Sequence, residues 1–415
     1  TDTGTDFDEG GTSKKVREWV DRASHMKSAG RFRKSRNLSD RFGASEGMRW
    51  PTLLDPEDAD KGTGSRNLGD PFPFLPDNRY VGILHADGND LGLLLEELRE
   101  RSNADNQDSY KDLFRAFSQA MSEATQAAAQ DASAILIAAV ADEDRPNFQG
   151  IYPARPLILG GDDLTIIVRA DCALDYAEQF IQAFNQHTQV AFQGLRSGPH
   201  GETFSFLPES GMSACAGIAF IKSTQPFYLA YDLAEGLCDH AKKSSRDQSG
   251  TKHSALAFAR VTTSFIPRYQ DLLDDELSIR DASDALYRTT LGAYAVGLPA
   301  DIDLPPLSAL RELKDLLARP DMSRGPARQL LSLLHYSPNE AERTYQRWQD
   351  NLKDADRDRH QKRWQKFSAA LQALGINPEA SLPYRSRQGH IPDTPLGDAL
   401  AWLAVDGSTE ANDHD

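Results

Sequence analysis

Short apolar runs alternate with helix-spaced apolar positions through the middle of the chain, and polar turns separate them. Residues 80–86 form an apolar run that ends in DGND at 87–90, which predicts a buried strand followed by a turn. Two further runs, 156–159 and 164–168, are separated only by GGDD at 160–163, which predicts a hairpin. The remaining spacing predicts helices over 91–100, 110–130, 174–189 and 227–243, and strands over 212–221 and 254–260.

This order, strand–helix–helix–hairpin–helix–strand–helix–strand, predicts an α/β (α+β) domain over 79–266, with helices on one side of a sheet. After about Pro267 the β-branched runs disappear, which predicts a helical C-terminal domain over 267–405 and an acidic tail over 406–415. Its helices are expected over 307–317, 325–335, 341–352 and 359–374, with breaks at Pro320, Pro338 and Pro378.

The first 78 residues are polar and contain few apolar clusters. They show weak helical periodicity over 16–26, a basic run over 31–36 and a Gly- and Pro-rich stretch over 62–76. We interpret residues 1–78 as a polar N-terminal arm or linker that packs on another surface. The alternative is that the basic run contacts phosphate. Because the chain begins with Thr1 rather than Met, further residues are expected upstream.

The formal net charge of −16 argues against long-range attraction to a polyanion. A small, metal-neutralised anion such as a nucleoside triphosphate fits this charge better than extended duplex DNA. Cys172, Cys215 and Cys238 are widely spaced in apolar contexts, which predicts buried thiols and a cytoplasmic location rather than a disulfide framework or zinc ribbon. No apolar run approaches the ~18 residues that a membrane helix needs, so no membrane partner is expected.

The hairpin tip places two carboxylates side by side, and Asp87 ends an apolar strand where a charge is unexpected. Like charges repel unless a cation lies between them, and Mg²⁺ or Mn²⁺ prefers oxygen ligands. If the strand neighbours the hairpin, Asp87, Asp162 and Asp163 converge on one edge. Two ions held there can activate an attacking hydroxyl and stabilise a leaving pyrophosphate. The residues alone leave two interpretations open: a catalytic metal site, or an acidic hairpin turn.

The two motifs HADGNDLG, at 85–92, and LGGDDL, at 159–164, resemble the palm of the large polymerase-like subunit of type III CRISPR effector complexes. The wider relatives of that palm are the GGDEF-type cyclases. ACAGIA at 214–219, followed by PFYLAYDLAEGLCDHAKK at 226–243, is similar to the later strand and helix of the family. The resemblance covers about Tyr80 to Phe258, under half of the chain. GGDD alone is a weak match, but its combination with the other two segments is fairly specific.

This resemblance implies a ferredoxin-like palm, a nucleotidyl cyclase domain over 79–266, with ATP as substrate and cyclic oligoadenylate as product in antiviral defence. It implies a two-metal site of Mg²⁺ or Mn²⁺ on the catalytic ligands Asp87, Asp162 and Asp163. The implied nucleotide contacts are Gly88, Asn89, Asp90, Gly160, Gly161 and either Lys242 or Lys243. For the two lysines, interaction with the dipole at the end of their helix is an equal alternative.

Several features depart from the family. The sequence has no His-Asp nuclease motif and no four-cysteine zinc site, and it shows one palm where full-length relatives have two. We therefore interpret the chain as a minimal or truncated relative, which weakens the expectation of assembly with guide RNA. The expected acceptor surface comes from a homodimer or a separate protein.

Three hypotheses for function remain. The first is a metal-dependent nucleotidyl transferase or cyclase acting on ATP or other nucleoside triphosphates. The second is a non-catalytic nucleotide- or RNA-binding palm that works with CRISPR effector subunits, and the third is a scaffold that docks partners through its helical part. Retention of all three carboxylates favours the enzyme.

Two other candidate groups have simpler interpretations. His85 precedes Asp87 by two positions and shares its face of the strand, where packing beneath the site is favoured over catalysis. Tyr345, Trp348 and Trp364 lie among arginines, a pattern that can stack on single-stranded nucleic acid. Interleaved aspartates favour a solvated, charged helix pair instead.

Overall fold

The computed structural model describes residues 4–7, 13–16, 38–52, 70–76, 78–102, 107–141, 143–247, 249–280, 284–297, 302–322, 324–355, 362–386 and 390–407. The basic run at 31–36, the periodic stretch beyond Val16, the Gly- and Pro-rich stretch as far as 69 and the tail beyond 407 lie outside these residues.

A six-stranded sheet forms the centre of the molecule, in the order β10-β7-β6-β3-β5-β4. The strands of the chain are β1 Gly4–Phe7, β2 Ser13–Val16, β3 Tyr80–Gly88, β4 Ala154–Gly160, β5 Asp163–Arg169, β6 Ala214–Lys222, β7 Ala255–Arg260, β8 Ser278–Arg280, β9 Leu286–Arg288 and β10 Tyr294–Ala295. Strand β3 runs antiparallel to both neighbours, β5 and β6, and β6 runs parallel to β7. The predicted α/β fold with its GGDD hairpin, formed by β4 and β5, is confirmed.

The helices agree with the predicted spans to within a few residues at most ends. They are α1 Leu91–Arg101, α2 Gln107–Ala138, α3 Ala170–Ser197, α4 Phe227–Ser244, α5 Tyr269–Asp271, α6 Leu307–Ala318, α7 Gly325–Tyr336, α8 Pro338–Ala355, α9 Arg363–Ala373 and α10 Leu396–Val405. Helix α2 is longer than predicted at its C-terminal end, and α3 extends beyond both predicted ends. Helix α10 was not predicted, and neither were the short strands β8 to β10.

Helices cover both faces of the sheet, so the prediction that they lie on one side is wrong. Leu84 and Ala86 of β3 belong to the apolar cluster that contains α2 and α3 residues. Val81 and Ile83 face the other way, into a second cluster with α4. The physical reason is that β3 and β6 are buried on both faces, which requires continuous apolar runs rather than the alternation of a half-exposed strand.

The C-terminal helices share an apolar cluster with the palm. Residues of α6 to α10 join the cluster of α2 and α3, and Trp402 packs edge-on against Phe258 of β7 with ring centroids 6.3 Å apart. Strand β10 pairs antiparallel with β7 and so extends the palm sheet from beyond the predicted boundary at 266. The boundaries themselves stay predictions.

Part of the N-terminal arm packs on the palm. Phe42 and Trp50 are buried in the cluster of α2 and α3, and Trp50 stacks on Tyr152 at 4.2 Å between ring centroids. Arg41 donates a hydrogen bond of 2.6 Å to the carbonyl oxygen of Leu159, next to the GGDD turn. These contacts anchor the first strand of the hairpin.

The three cysteines are free and buried, as predicted. Among the described helices, none is both long enough and apolar enough to cross a bilayer.

Candidate metal and nucleotide site

The three predicted carboxylates meet at one edge of the sheet. Asp87 lies near the end of β3, Asp162 occupies the hairpin turn and Asp163 begins β5, the neighbour of β3. One carboxylate oxygen from each residue lies within 4.8 Å of the others. The pairing of β3 with β5 therefore produces the convergence that the sequence predicted only conditionally.

The electrostatics of this cluster favour a cation. Burial, followed by the charge of Asp87, raises the pKa of Asp162 to about 7. The same two causes raise the pKa of Asp163 to about 6. Both shifts mean that the protein alone disfavours ionisation of Asp162 and Asp163 beside Asp87, and a divalent ion would reverse this preference. The donor set consists of carboxylate oxygens, which is the chemistry that Mg²⁺ and Mn²⁺ require.

Gly88 is required by the close approach of Asp162 to β3. A Cβ atom on Gly88 would lie 2.8 Å from Cβ and 3.0 Å from Oδ2 of Asp162, and 3.2 Å from Cε of Met212. These distances are too short for any side chain without a shift of the carboxylate. Gly88 therefore allows the cluster to form.

The two glycines of the GGDD turn differ from each other. Gly161 has φ +61°, a left-handed conformation that glycine adopts at little cost. The φ angle of Gly160 is not positive. Within the part of the chain that the structure describes, a Cβ atom on either glycine would meet nothing within 4 Å. The surface over both glycines is open and can accept a ligand.

A threonine of α2 that no sequence motif marks holds this turn. The Thr125 hydroxyl lies 2.6 Å from the carbonyl oxygen of Gly161 and 2.9 Å from that of Met121. Thr125 is fully buried. In the sequence it is one polar position on an apolar helix face, and nothing there indicates which turn it contacts.

The two candidate lysines of α4 have different surroundings. Lys242 forms an ion pair with Asp87, and both side chains are partly buried. Burial lowers the pKa of Lys242, but the hydrogen bond and charge of Asp87 outweigh it and the pKa is raised. Lys243 is exposed, and its charge lowers the pKa of His240. The geometry therefore separates the pair and puts Lys242 at the carboxylates.

Asn89 points inward and stabilises the turn. Its backbone N–H donates to the carbonyl oxygen of Ser213 at 2.8 Å, and its side-chain Nδ2 lies 2.9 Å from the Ser213 hydroxyl. Nδ2 also lies 3.4 Å from the carbonyl oxygen of His253, and Asn89 is 3% exposed. Its donors are thus committed to the protein. Asn89 links the end of β3 to the segments that precede β6 and β7.

Asp90 forms an ion pair with Lys252, with Nζ 2.7 Å from Oδ1. Both residues line a cavity of about 750 Å³ that also contains Asn89, Ser213 and His253. The cavity lies where β3 ends and β6 and β7 begin, at the same edge of the sheet as the carboxylates. Lys252, His253 and Ser213 were not predicted, because they lie in loops that only the strand order brings to this edge.

Packing environments surround His85, Tyr345 and Trp348. His85 is 8% exposed, its Nδ1 lies 3.3 Å from the Thr165 hydroxyl, and burial lowers its pKa. Tyr345 and Trp348 are 0% and 3% exposed, respectively, which leaves no face for a stacked base.

One comparison with known protein families gives a match that includes this site. Residues 80–250 match the family model described as Cas10/Cmr2, second palm domain. No curated protein matches the sequence. Among solved structures, the chain is similar to one titled "Crystal structure of Csm1-Csm4 cassette in complex with cA4", at 14% identity and a TM-score of 0.35. That similarity covers 71% of this chain and 36% of the other, so the chain spans about a third of the length of this neighbour.

The family match begins at the first residue of β3 and ends beyond α4, and it therefore includes Asp87, Asp162, Asp163 and Lys242. The segment from residue 80 to residue 250 is a Cas10-like palm domain.

Proposed function

We propose that the chain is a metal-dependent nucleotidyl transferase or cyclase. It would join nucleoside triphosphates, ATP first among them, into a cyclic oligonucleotide that serves as a messenger in antiviral defence, with cyclic oligoadenylate as the expected product. The observation that supports this most directly is the convergence of three carboxylates within 4.8 Å in a palm of the Cas10 type.

Asp87, Asp162 and Asp163 are the residues that would hold Mg²⁺ or Mn²⁺. When bound, such ions supply activation of the attacking hydroxyl and stabilisation of the departing pyrophosphate. The raised pKa values of Asp162 and Asp163 fit this role, because a site built for cations is unfavourable for three carboxylates alone.

The triphosphate would lie across the open glycines of the hairpin, with Lys242 as its ammonium contact. Lys242 is already held at the carboxylates by Asp87, so a phosphate oxygen bound there replaces one anionic partner with another. Charge stabilisation of this kind, together with positioning, does most of the work in phosphoryl and nucleotidyl transfer.

The ribose and base would enter the 750 Å³ cavity that Asp90 and Lys252 border. Asp90 and Lys252 offer an acceptor and a donor at its rim. Asn89 would hold the turn through its donors, which Ser213 and His253 engage. Its Oδ1 is buried and has no hydrogen-bond partner among the described residues, so it would remain available to accept from the ligand.

The acceptor nucleotide needs a second surface, because one palm positions one triphosphate. We propose a two-fold homodimer, the commonest closed assembly, with the carboxylate edges of the two copies facing each other. A separate protein, such as another subunit of a type III CRISPR complex, would serve in the same place.

The second candidate function is a non-catalytic palm that binds nucleotide or RNA within such a complex. The Lys242–Asp87 pair favours this alternative in one respect, since it neutralises part of the carboxylate cluster without a metal.

Release of pyrophosphate from ATP with Mn²⁺, followed by chromatography of the products, separates these functions. The enzyme releases pyrophosphate and yields a cyclic product, whereas the binding module retains ATP unchanged. If ATP is bound in a Mn²⁺-dependent way but no pyrophosphate appears with or without RNA and partner subunits, the catalytic proposal is wrong and the binding alternative holds.

The dimer has a separate test. Turnover per subunit should fall when the protein is diluted below its dimer dissociation constant, and an excess of Asp162→Asn subunits should inhibit the wild type. A strictly monomeric protein with full activity would contradict the dimer while leaving the catalytic proposal intact.

A further inference from the structure

A second cavity, of about 320 Å³, lies against α4 on the side away from the carboxylates. His240 and Ser244 form its α4 wall, and the opposite walls come from Tyr269, Arg288 and the segment around Arg385. His240 precedes Lys242 by two positions, so their side chains project from the helix in directions roughly 200° apart around its axis. The cavity is therefore separate from the site proposed above.

Among the described residues, two hydrogen-bond donors in this wall have no partner. Nε of Arg288 and Oη of Tyr269 are buried, and neither makes a hydrogen bond within the described part of the chain. Burial also raises the pKa of Tyr269, so its hydroxyl keeps its proton and can donate. Buried donors are nearly always satisfied in folded proteins, and the cavity is the space from which an acceptor can reach them.

The charges that line the cavity leave positive charge available. Arg385 is committed to Asp393 through two hydrogen bonds, of 3.0 and 2.7 Å. Arg246 and Arg288 remain, against one further carboxylate, that of Asp303. Arg288 forms no ion pair among the described residues, although an arginine with a buried nitrogen is rarely left without an anion.

The histidine of this wall is held in place and uncharged. The His240 ring packs on Tyr269 with centroids 4.8 Å apart, and a Cβ atom on Gly292 would lie 2.7 Å from its Nε2. Burial, followed by the charges of Arg288 and Lys243, lowers the pKa of His240 to about 4. His240 thus adds no positive charge to the cavity, whereas Arg246 and Arg288 do.

We propose that this cavity binds a phosphoryl oxyanion, with Arg288 and Tyr269 as the donors that define the site. A tetrahedral anion accepts several hydrogen bonds at once and pairs with a guanidinium in the geometry that arginine favours. This requirement is opposite to that of the carboxylate cluster, which takes cations. The inference does not depend on the proposed enzymatic function.

Binding of inorganic phosphate to the full chain, measured by calorimetry in the absence of divalent metal, tests this inference. The wild type should bind phosphate saturably at one site. Arg288→Ala should weaken binding at least about tenfold, since a charge-assisted pair is lost. Arg280→Ala is the matched control, because Arg280 lies on the adjacent strand β8 and is exposed. Absence of saturable binding, or binding unchanged in Arg288→Ala, would overturn the proposal.

A more conservative variant and a local NMR measurement keep the test decisive if Arg288→Ala does not fold. Tyr269→Phe removes only the hydroxyl and should weaken phosphate binding several-fold. In the wild type, phosphate should also move the NMR titration of His240 to higher pH, because an adjacent anion favours the protonated ring. Phosphate that binds without affecting His240 lies elsewhere, which would contradict the assignment.

Ribose 5-phosphate distinguishes a free anion from the phosphoryl group of a larger molecule. Tighter binding of ribose 5-phosphate than of phosphate, still dependent on Arg288, would identify a phosphorylated metabolite or nucleotide as the occupant. Tighter binding of inorganic phosphate would identify the free anion. If neither depends on Arg288, the site is not the one proposed.

Discussion

Asp398 and the hairpin carboxylates have opposite surroundings. Asp398 of α10 is 6% exposed and accepts hydrogen bonds from the backbone N–H of Leu291, at 2.9 Å, and from the Tyr294 hydroxyl. Burial raises the pKa of Asp398 to about 6, and its donors act against that shift. Burial also raises the pKa of Asp162, but there the neighbouring charges of Asp87 and Asp163 raise the pKa further.

This difference separates an acid whose hydrogen bonds the fold satisfies from acids that are candidates for binding a ligand. Donors surround Asp398, whereas the hairpin acids face one another and have Lys242 as a nearby cation. A structure that places three carboxylates together without enough donors loses stability unless a cation binds. Perturbed acids that face other acids are accordingly the better functional candidates.

The largest expected effect is on the hairpin acids. Asp162→Asn combined with Asp163→Asn should lower pyrophosphate release by about a hundredfold or more, because charge stabilisation at the reacting phosphate depends on these ligands. In EDTA the variant should unfold at or above the wild-type temperature, since repulsion between carboxylates is relieved. Mn²⁺ should raise the melting temperature of the wild type and not that of the variant.

The control for this pair is Asp112→Asn, which removes an exposed carboxylate paired with Arg115 on α2. It should leave both turnover and the response to Mn²⁺ unchanged. A double variant that retains wild-type turnover would locate the chemistry elsewhere in the chain.

At Asp398 we expect a pH-dependent effect on stability. Its folded pKa, about 6, lies above the ordinary value of 3.8, so folding favours the protonated acid. The protonated acid therefore stabilises the folded protein fully at pH values below the pKa of Asp398 in the unfolded chain. This stabilisation is lost as the pH rises through about 6, and the loss amounts to about 3 kcal/mol for two pKa units. Asn at this position accepts the same hydrogen bonds and does not ionise. The free energy of unfolding of Asp398→Asn, relative to wild type, should therefore increase between pH 4 and pH 8.

Denaturant unfolding of both proteins across this range measures the difference, with the exposed Asp284→Asn as control. A difference that does not vary with pH would show that Asp398 titrates alike in the folded and unfolded chains.

The sequence predicted the hairpin and its acids because both depend on local patterns. GGDD between two apolar runs defines the turn, and Asp87 stands out as a charge at the end of a third run. It could not predict Thr125, which reaches the turn through the packing of α2. Nor could it predict Lys252 and Ser213, which reach the site through the order of the strands rather than through spacing along the chain. The second face of the sheet was missed for a related reason: a continuous apolar run shows that a strand is buried but does not show what covers it.

A smaller effect on Mn²⁺ binding is expected from a substitution at Gly88, which tests whether the close approach of Asp162 to β3 positions the three acids. Gly88→Ala should displace the Asp162 carboxylate, because the added Cβ would lie 2.8 Å from that of Asp162. We expect Mn²⁺ affinity to fall about tenfold, which corresponds to about 1.4 kcal/mol. Gly160→Ala is the matched control, since its Cβ would meet nothing within 4 Å. Equal Mn²⁺ affinities for the two variants, measured by calorimetry, would show that the approach of Asp162 to β3 does not matter.

The smallest effect is expected at Thr125, which tethers the turn from α2. Thr125→Val keeps the shape of the side chain but removes the hydroxyl that lies 2.6 Å from the Gly161 carbonyl oxygen. The loss of one buried hydrogen bond should cost about 1 kcal/mol of folding stability and weaken Mn²⁺ binding a few-fold, because the turn gains freedom. Ser133→Ala is a control on the same helix: its hydroxyl bonds to the carbonyl oxygen of Ala129, about 12 Å further along α2. Both variants should lose stability in denaturant unfolding, but Thr125→Val alone should lose Mn²⁺ affinity. If Ser133→Ala weakens Mn²⁺ binding equally, the hairpin acids respond to the general stability of α2, and the contact between Thr125 and Gly161 does not position them.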